Sequence, residues 1–130
     1  MTMAVRPTTR HGRYPVSLDP ATLNPVACER ELLRFVGLLE HATQETARRG
    51  RAAAEAEVAH RVAYAKAIIA AQGTVAEREA LATVATEQEL LARRLAEASL
   101  DASRDASRNM REQLGALRTV SANLRELVTS

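Results

Sequence analysis

From residue 25 onward the apolar and small positions fall three and four apart, not two apart. Leu32, Val36, Leu39, Thr43, Ala47, Ala54, Val58, Val62, Ala65 and Ile69 follow this rule. It is the period of a helix that buries one stripe. Asn24 before Pro25 reads as an N-cap with proline in the first turn. Glu29 and Glu31 then stand near the helix start, where carboxylates favour the dipole. The run AAAEAEVAHRVAYAKAIIAA is built almost wholly of strong helix formers. Gly50 interrupts the pattern at a cost of about 1 kcal/mol relative to alanine. The pattern predicts one long helix over about residues 26–71.

Gly73 and Thr74 form the clearest break. Glycine suits the left-handed residue that closes a helix. Thr74 with Glu77 three residues on has the form of a capping box for the next helix. Thr86 and Glu89 repeat that form. The segment 75–85 is then a short helix at a tip, or a turn-rich part of a continuous one, and the first reading is favoured. Residues 75–128 are helical again. Met110, Leu114, Leu117, Ser121, Leu124 and Val128 keep a heptad seam. Upstream the seam is expected to pass through Leu91, Leu95, Ala98, Ala102 and Ala106. Two long helices joined at 72–74 predict an all-α fold, an antiparallel, coiled-coil-like hairpin over 25–130. Residues 1–24, with Pro7, Pro15 and Pro20 and no helical period, are expected to be a flexible arm.

Composition sharpens this picture. The chain has 130 residues, enough for one ordinary domain. It contains 26 alanines but one phenylalanine, two tyrosines and no tryptophan. A sheet protein would need turn residues every 8–12 positions and many β-branched or aromatic residues, so a sandwich, barrel or doubly wound fold is excluded. Alanine buries little area, at about 25 cal/mol per Å². A lone hairpin also leaves Leu33, Leu38, Ile68, Leu90, Leu100, Val120 and Leu127 without an obvious partner. Self-association into a homo-oligomer is the economical expectation. Its interface is assigned to Leu32, Val36, Leu39, Val58, Met110, Leu114, Leu117 and Leu124.

Charge is nearly balanced, with 18 basic and 16 acidic side chains. Cys28 is the single cysteine, so a reducing compartment is the simple reading. The first residues contain no apolar core of signal-peptide length. No stretch approaches the ~18 apolar residues of a membrane span. A cytoplasmic protein without membrane contact is expected.

Enzyme signatures are absent: there is no phosphate-binding glycine loop and no zinc-type His/Glu helix motif. His11, His41 and His60 are far apart in sequence, and His41 with Glu45 reads as a solvated helix pair. Ser99, Ser103 and Ser107 read as small residues on a close-packed helix face. No catalytic residue, metal ligand or cofactor is assigned.

The arginines are more informative. Arg104, Arg111, Arg118 and Arg125 recur at heptad spacing beside the seam, with Arg108 between the first two. Arg48, Arg49 and Arg51 cluster within one turn of the first long helix. Two readings stand. In one, these arginines pair with Glu112, Glu126, Asp101 and Asp105 across helices, as flanking coiled-coil positions do. In the other, an oligomer repeats the stripe and binds a polyanion, gaining affinity with each counterion released. Arg48, Arg49, Arg51, Arg104, Arg108, Arg111 and Arg118 are the candidate phosphate contacts. An aromatic stacking platform is missing, so binding would be backbone-directed and salt-sensitive.

The runs Arg61–Ala67 (RVAYAKA), Gly73–Glu79 (GTVAERE) and Ser121–Glu126 (SANLRE) carry a resemblance. Over about residues 27–127 the chain resembles small helical proteins of actinobacterial phages, which are similar to UvsY-like recombination mediators of tailed phages. The resemblance implies a non-enzymatic, oligomeric protein of the host-cell cytoplasm. It would bind single-stranded DNA and help a recombinase displace the single-strand-binding protein. This chain departs from that pattern in its scarcity of lysine and aromatic residues. The alternative is a helical adaptor that docks on a host protein through its apolar seam, without nucleic acid.

Overall fold

A computed structural model describes residues 24–129. The expected arm over 1–24 lies, but for Asn24, outside the described residues. Three helices are present among these residues and no strand: α1 (Pro25–Ala70), α2 (Val75–Ala85) and α3 (Glu87–Thr129). The long helices α1 and α3 pack against each other, giving an all-α helical hairpin.

Local chemistry explains each boundary. The side chain of Asn24 accepts from Ala27 N at 2.9 Å, and its carbonyl accepts from Cys28 N at 3.1 Å. Asn24 is thus the N-cap, and Pro25 loses no hydrogen bond as the first helical residue. Glu29 and Glu31 lie beyond the first turn, which contains no acid. Glu31 is instead buried and paired with Arg34, one turn on. Gly73 has φ 122°, a conformation that costs glycine little and other residues much. Thr74 caps α2 by accepting from Glu77 N at 3.2 Å.

Thr86 departs from the expected capping box. Its hydroxyl donates to Ala82 O at 2.7 Å and its own N–H donates to the same carbonyl at 3.1 Å. The side chain therefore ends α2 and does not cap α3. Thr86 is buried, and satisfying a carbonyl of the closing helix keeps its hydroxyl paired there.

The chain divides into two compact units, Met1–Glu45 with Ala102–Ser130, and Thr46–Asp101. In the first, the described part of the core is Phe35, Leu114 and Leu117, with Leu32 and Leu39 packed against it. Cys28, Ala42, Met110, Ser107, Ser103 and Ser121 are also buried there. The seam of α1 runs through Cys28, Leu32, Phe35, Leu39 and Ala42, at heptad steps. The expected stripe shares Leu32 and Leu39 with this seam and slips by one residue at Val36 and Thr43. One residue turns a helix by about 100°, so Val36 is exposed where Phe35 is fully buried. On α3, Met110, Leu114, Leu117 and Ser121 keep the expected phase, and Leu124 is half-buried.

The second unit departs further from expectation. Val58, Val62, Ile69, Leu91 and Leu95 are all exposed. Its inner positions are Ala53, which is buried, and Ala56, His60, Ala63, Ala67, Arg93, Ala96 and Leu100, which are half-buried. Leu100 reaches Gly50, where a Cβ would stand 3.8 Å from Cδ1. Small side chains let the two helix backbones approach, and most of the bulky aliphatic residues, though not Ile68, Leu90 and Leu100, are exposed.

Candidate nucleic-acid interface

The seven candidate arginines have different surroundings. Arg49 is half-buried and donates from Nη1 to Ser99 O at 3.3 Å. It ties α1 to the backbone of α3 within the second unit. Arg108 donates to Asp105 Oδ1 at 3.3 Å, an exposed pair on one helix face. Arg48 and Arg104 are engaged by partners as well. Arg125, outside the seven, turns back to Ser121 O at 3.5 Å.

Arg51, Arg111 and Arg118 are exposed. Among the described residues no ion pair involves any of the three. Arg111 and Arg118 are one heptad apart on α3, roughly 10 Å along the axis at ~1.5 Å per residue. They flank the buried residues Met110 and Leu117, so the seam fixes their backbone positions while their heads stay in water.

The assigned oligomer-interface residues also divide. Met110, Leu114 and Leu117 are buried inside the single chain, and Leu32 and Leu39 pack on the same core. Five of the eight therefore build the hairpin itself. Leu124 is half-buried, and Val36 and Val58 are exposed.

A polar cluster that residue spacing did not single out sits within the second unit. Arg93 donates Nε to Glu97 Oε1 at 2.9 Å and lies 3.7 Å from Glu57 Oε1. Its Nη1 is 3.3 Å from His60 Nδ1. Tyr64 lies beside His60 with the rings tilted by 51° and their centroids 6.2 Å apart. The hydrogen bond from Arg93 holds the Glu97 carboxyl below its ordinary range, against the opposing effect of burial and with help from the charges of Arg93 and Arg94. His60 and Arg93 occupy the inner face at matching heights. That pairing, not the spacing of either residue within its own helix, is the signal that could have found them.

Cys28 is fully buried at the start of α1, and His41 is exposed. Among the described residues no group of three or more His, Cys, Asp or Glu is arranged to hold a metal ion. Among the same residues no helix is long and apolar enough to cross a membrane. No protein-family model, curated protein or solved structure matches this chain.

Proposed function

We propose that this chain is a non-enzymatic accessory protein of phage recombination that binds single-stranded DNA through arginine–phosphate contacts in the host-cell cytoplasm. The observation that supports it is the pair Arg111 and Arg118. They are exposed, one heptad apart, and without a carboxylate partner among the described residues. Arg51 is a further exposed guanidinium of the same kind. Arg48, Arg49, Arg104 and Arg108 already have partners and contribute less. A guanidinium presents several donors in a fixed plane, which suits phosphate oxygens. With two tyrosines and one phenylalanine in the chain, base stacking adds little, and binding tolerates any sequence. A recombinase or a single-strand-binding protein is the protein partner this reading implies.

The test is anisotropy of a labelled single-stranded oligonucleotide titrated at several salt concentrations. Affinity should fall steeply with salt, with a log–log slope of about −0.7 per phosphate neutralised. Arg111→Gln with Arg118→Gln should weaken binding and flatten that slope, while circular dichroism stays unchanged. No binding at low salt overturns the proposal.

A second reading has its own support. Val58, Val62, Ile69, Leu91 and Leu95 are exposed aliphatic side chains on one unit. Patches of that kind favour a helical adaptor that docks on a protein without nucleic acid.

A further inference from the structure

The unit Thr46–Asp101 carries two apolar stripes that its own helices do not cover. On α1, Val58, Val62, Ala65 and Ile69 are exposed, at steps of four, three and four. On α2, Leu81 and Val84 are exposed three apart, and on the start of α3, beyond the C-cap residue Thr86, Gln88, Leu91, Leu95 and Ala98 are exposed at steps of three, four and three. Ile69 keeps 79% of its surface in water and Leu95 62%. Heptad steps of this kind describe a seam for a partner helix. The inner face of the same unit is largely alanine with an Arg93, His60 and Glu57 cluster, and Ile68, Leu90 and Leu100 are its half-buried aliphatic residues, so the residues of the two stripes take no part in it.

The two stripes are flanked by opposite charges. Along the α1 stripe the exposed charged residues are Glu55, Arg61 and Lys66, with Arg61 3.8 Å from the half-buried Glu57, so basic charge is in slight excess among the exposed residues. Between Val75 and Ala92 there are four glutamates and one arginine. Arg78 is turned onto Ile68 O at 2.8 Å, and one carboxylate oxygen of Glu89 is buried. That leaves Glu77, Glu79 and Glu87 exposed around the α2–α3 stripe, against one exposed arginine, Arg94, which lies 3.5 Å from Glu97, so acidic charge is in excess. Each stripe therefore attracts the other and repels a copy of itself.

We infer that the occupant of the α1 stripe is the α2–α3 stripe of a second copy of this chain. Two copies that engage reciprocally close a two-fold dimer, and copies that join head to tail leave one free stripe at each end of a pair. Repetition closes a ring or extends a filament. The inference concerns how copies join and is independent of DNA binding.

Sedimentation equilibrium of the full chain without DNA tests it. Wild type should self-associate at about 50 µM, and R61E/K66E and E79R/E87R should each associate at least roughly tenfold more weakly. The four changes together, R61E/K66E/E79R/E87R, exchange the signs of both stripes and should restore association to within about threefold of wild type. A stripe that pairs with its own equivalent would not be rescued by that exchange. Ile69→Ser with Leu95→Ser removes apolar area at exposed positions and should abolish association with helicity retained. A monomeric wild type, a quadruple variant as weak as the doubles, or an Ile69/Leu95 variant that associates normally overturns the inference.

Discussion

Arg93 on α3 and His60 on α1 meet with Nη1 and Nδ1 3.3 Å apart. A guanidinium only donates, so in this contact the acceptor is His60 Nδ1. The same guanidinium bonds Glu97 and lies near Glu57, so one side chain links three partners on two helices.

Acid should loosen this unit. The folded Glu97 carboxyl is held below the ordinary glutamate range, first by the hydrogen bond from Arg93. The sign follows from linkage: a depressed carboxyl contributes stability that is fully present above its unfolded value and lost as pH falls through the folded one. Urea midpoints should therefore decline as pH is lowered below about 4.5. Glu97→Gln should flatten the acid limb. An unchanged limb in that variant would separate Glu97 from the effect.

Phe35 locates the seam. It is fully buried against Leu114 and Leu117, while its neighbour Val36 is 46% exposed. Phe35→Ala should cost about 3–4 kcal/mol, the usual range for an aromatic core truncation. Val36→Ala should cost under about 0.5 kcal/mol, as surface changes do. Chemical denaturation of both variants decides the phase. Equal losses would mean that the stripe runs between the two residues.

Much of the fold was legible because its signals are local. Asn24 and Pro25, Gly73 and Thr74, and the aliphatic run from Met110 to Leu117 act through their own backbone or through near neighbours. The phase of α1 was legible at Leu32 and Leu39 but not between or beyond them. Val36, Val58, Val62 and Ile69 keep helical spacing as well as Phe35 and Ala42 do, and hydrophobicity favours the valines. Alanine at Ala53, Ala56, Ala63 and Ala67 carries too little contrast to mark an inner face. On α3 the buried Ser103 and Ser107 were read as close-packing residues, yet the seam was drawn through Ala102 and Ala106 beside them. The arginines divided for a related reason: spacing places a side chain beside a seam, but partners such as Ser99 O and Asp105 depend on how the two helices align or on local rotamers.

The two glycines at opposite ends of backbone freedom should respond oppositely to alanine. At Gly50 a Cβ would meet Leu100 Cδ1 at 3.8 Å, an ordinary contact. Gly50→Ala should stabilise the helix by about 1 kcal/mol through lower unfolded-state entropy and higher propensity. At Gly73, φ is 122° and a Cβ would meet Glu77 Oε2 at 2.5 Å. Gly73→Ala should destabilise by more than about 1 kcal/mol. Thermal melts read both. A stabilising change at residue 73 would mean that the hinge relaxes into a different turn.

Ser121 offers the last contrast. It is fully buried on the α3 seam, and its hydroxyl has no hydrogen-bond partner among the described residues. An unpaired buried hydroxyl costs about 1–3 kcal/mol. Ser121→Ala removes that cost and leaves only a small void, so it should raise stability by roughly 1 kcal/mol. Thr86 is the control, since its buried hydroxyl is paired with Ala82 O at 2.7 Å. Thr86→Val keeps the shape and discards the bond, leaving the carbonyl with the backbone N–H alone, and should destabilise by about 1 kcal/mol. Opposite signs in urea denaturation are expected. A destabilising Ser121→Ala would mean that the hydroxyl finds a partner in solution, such as a bound water.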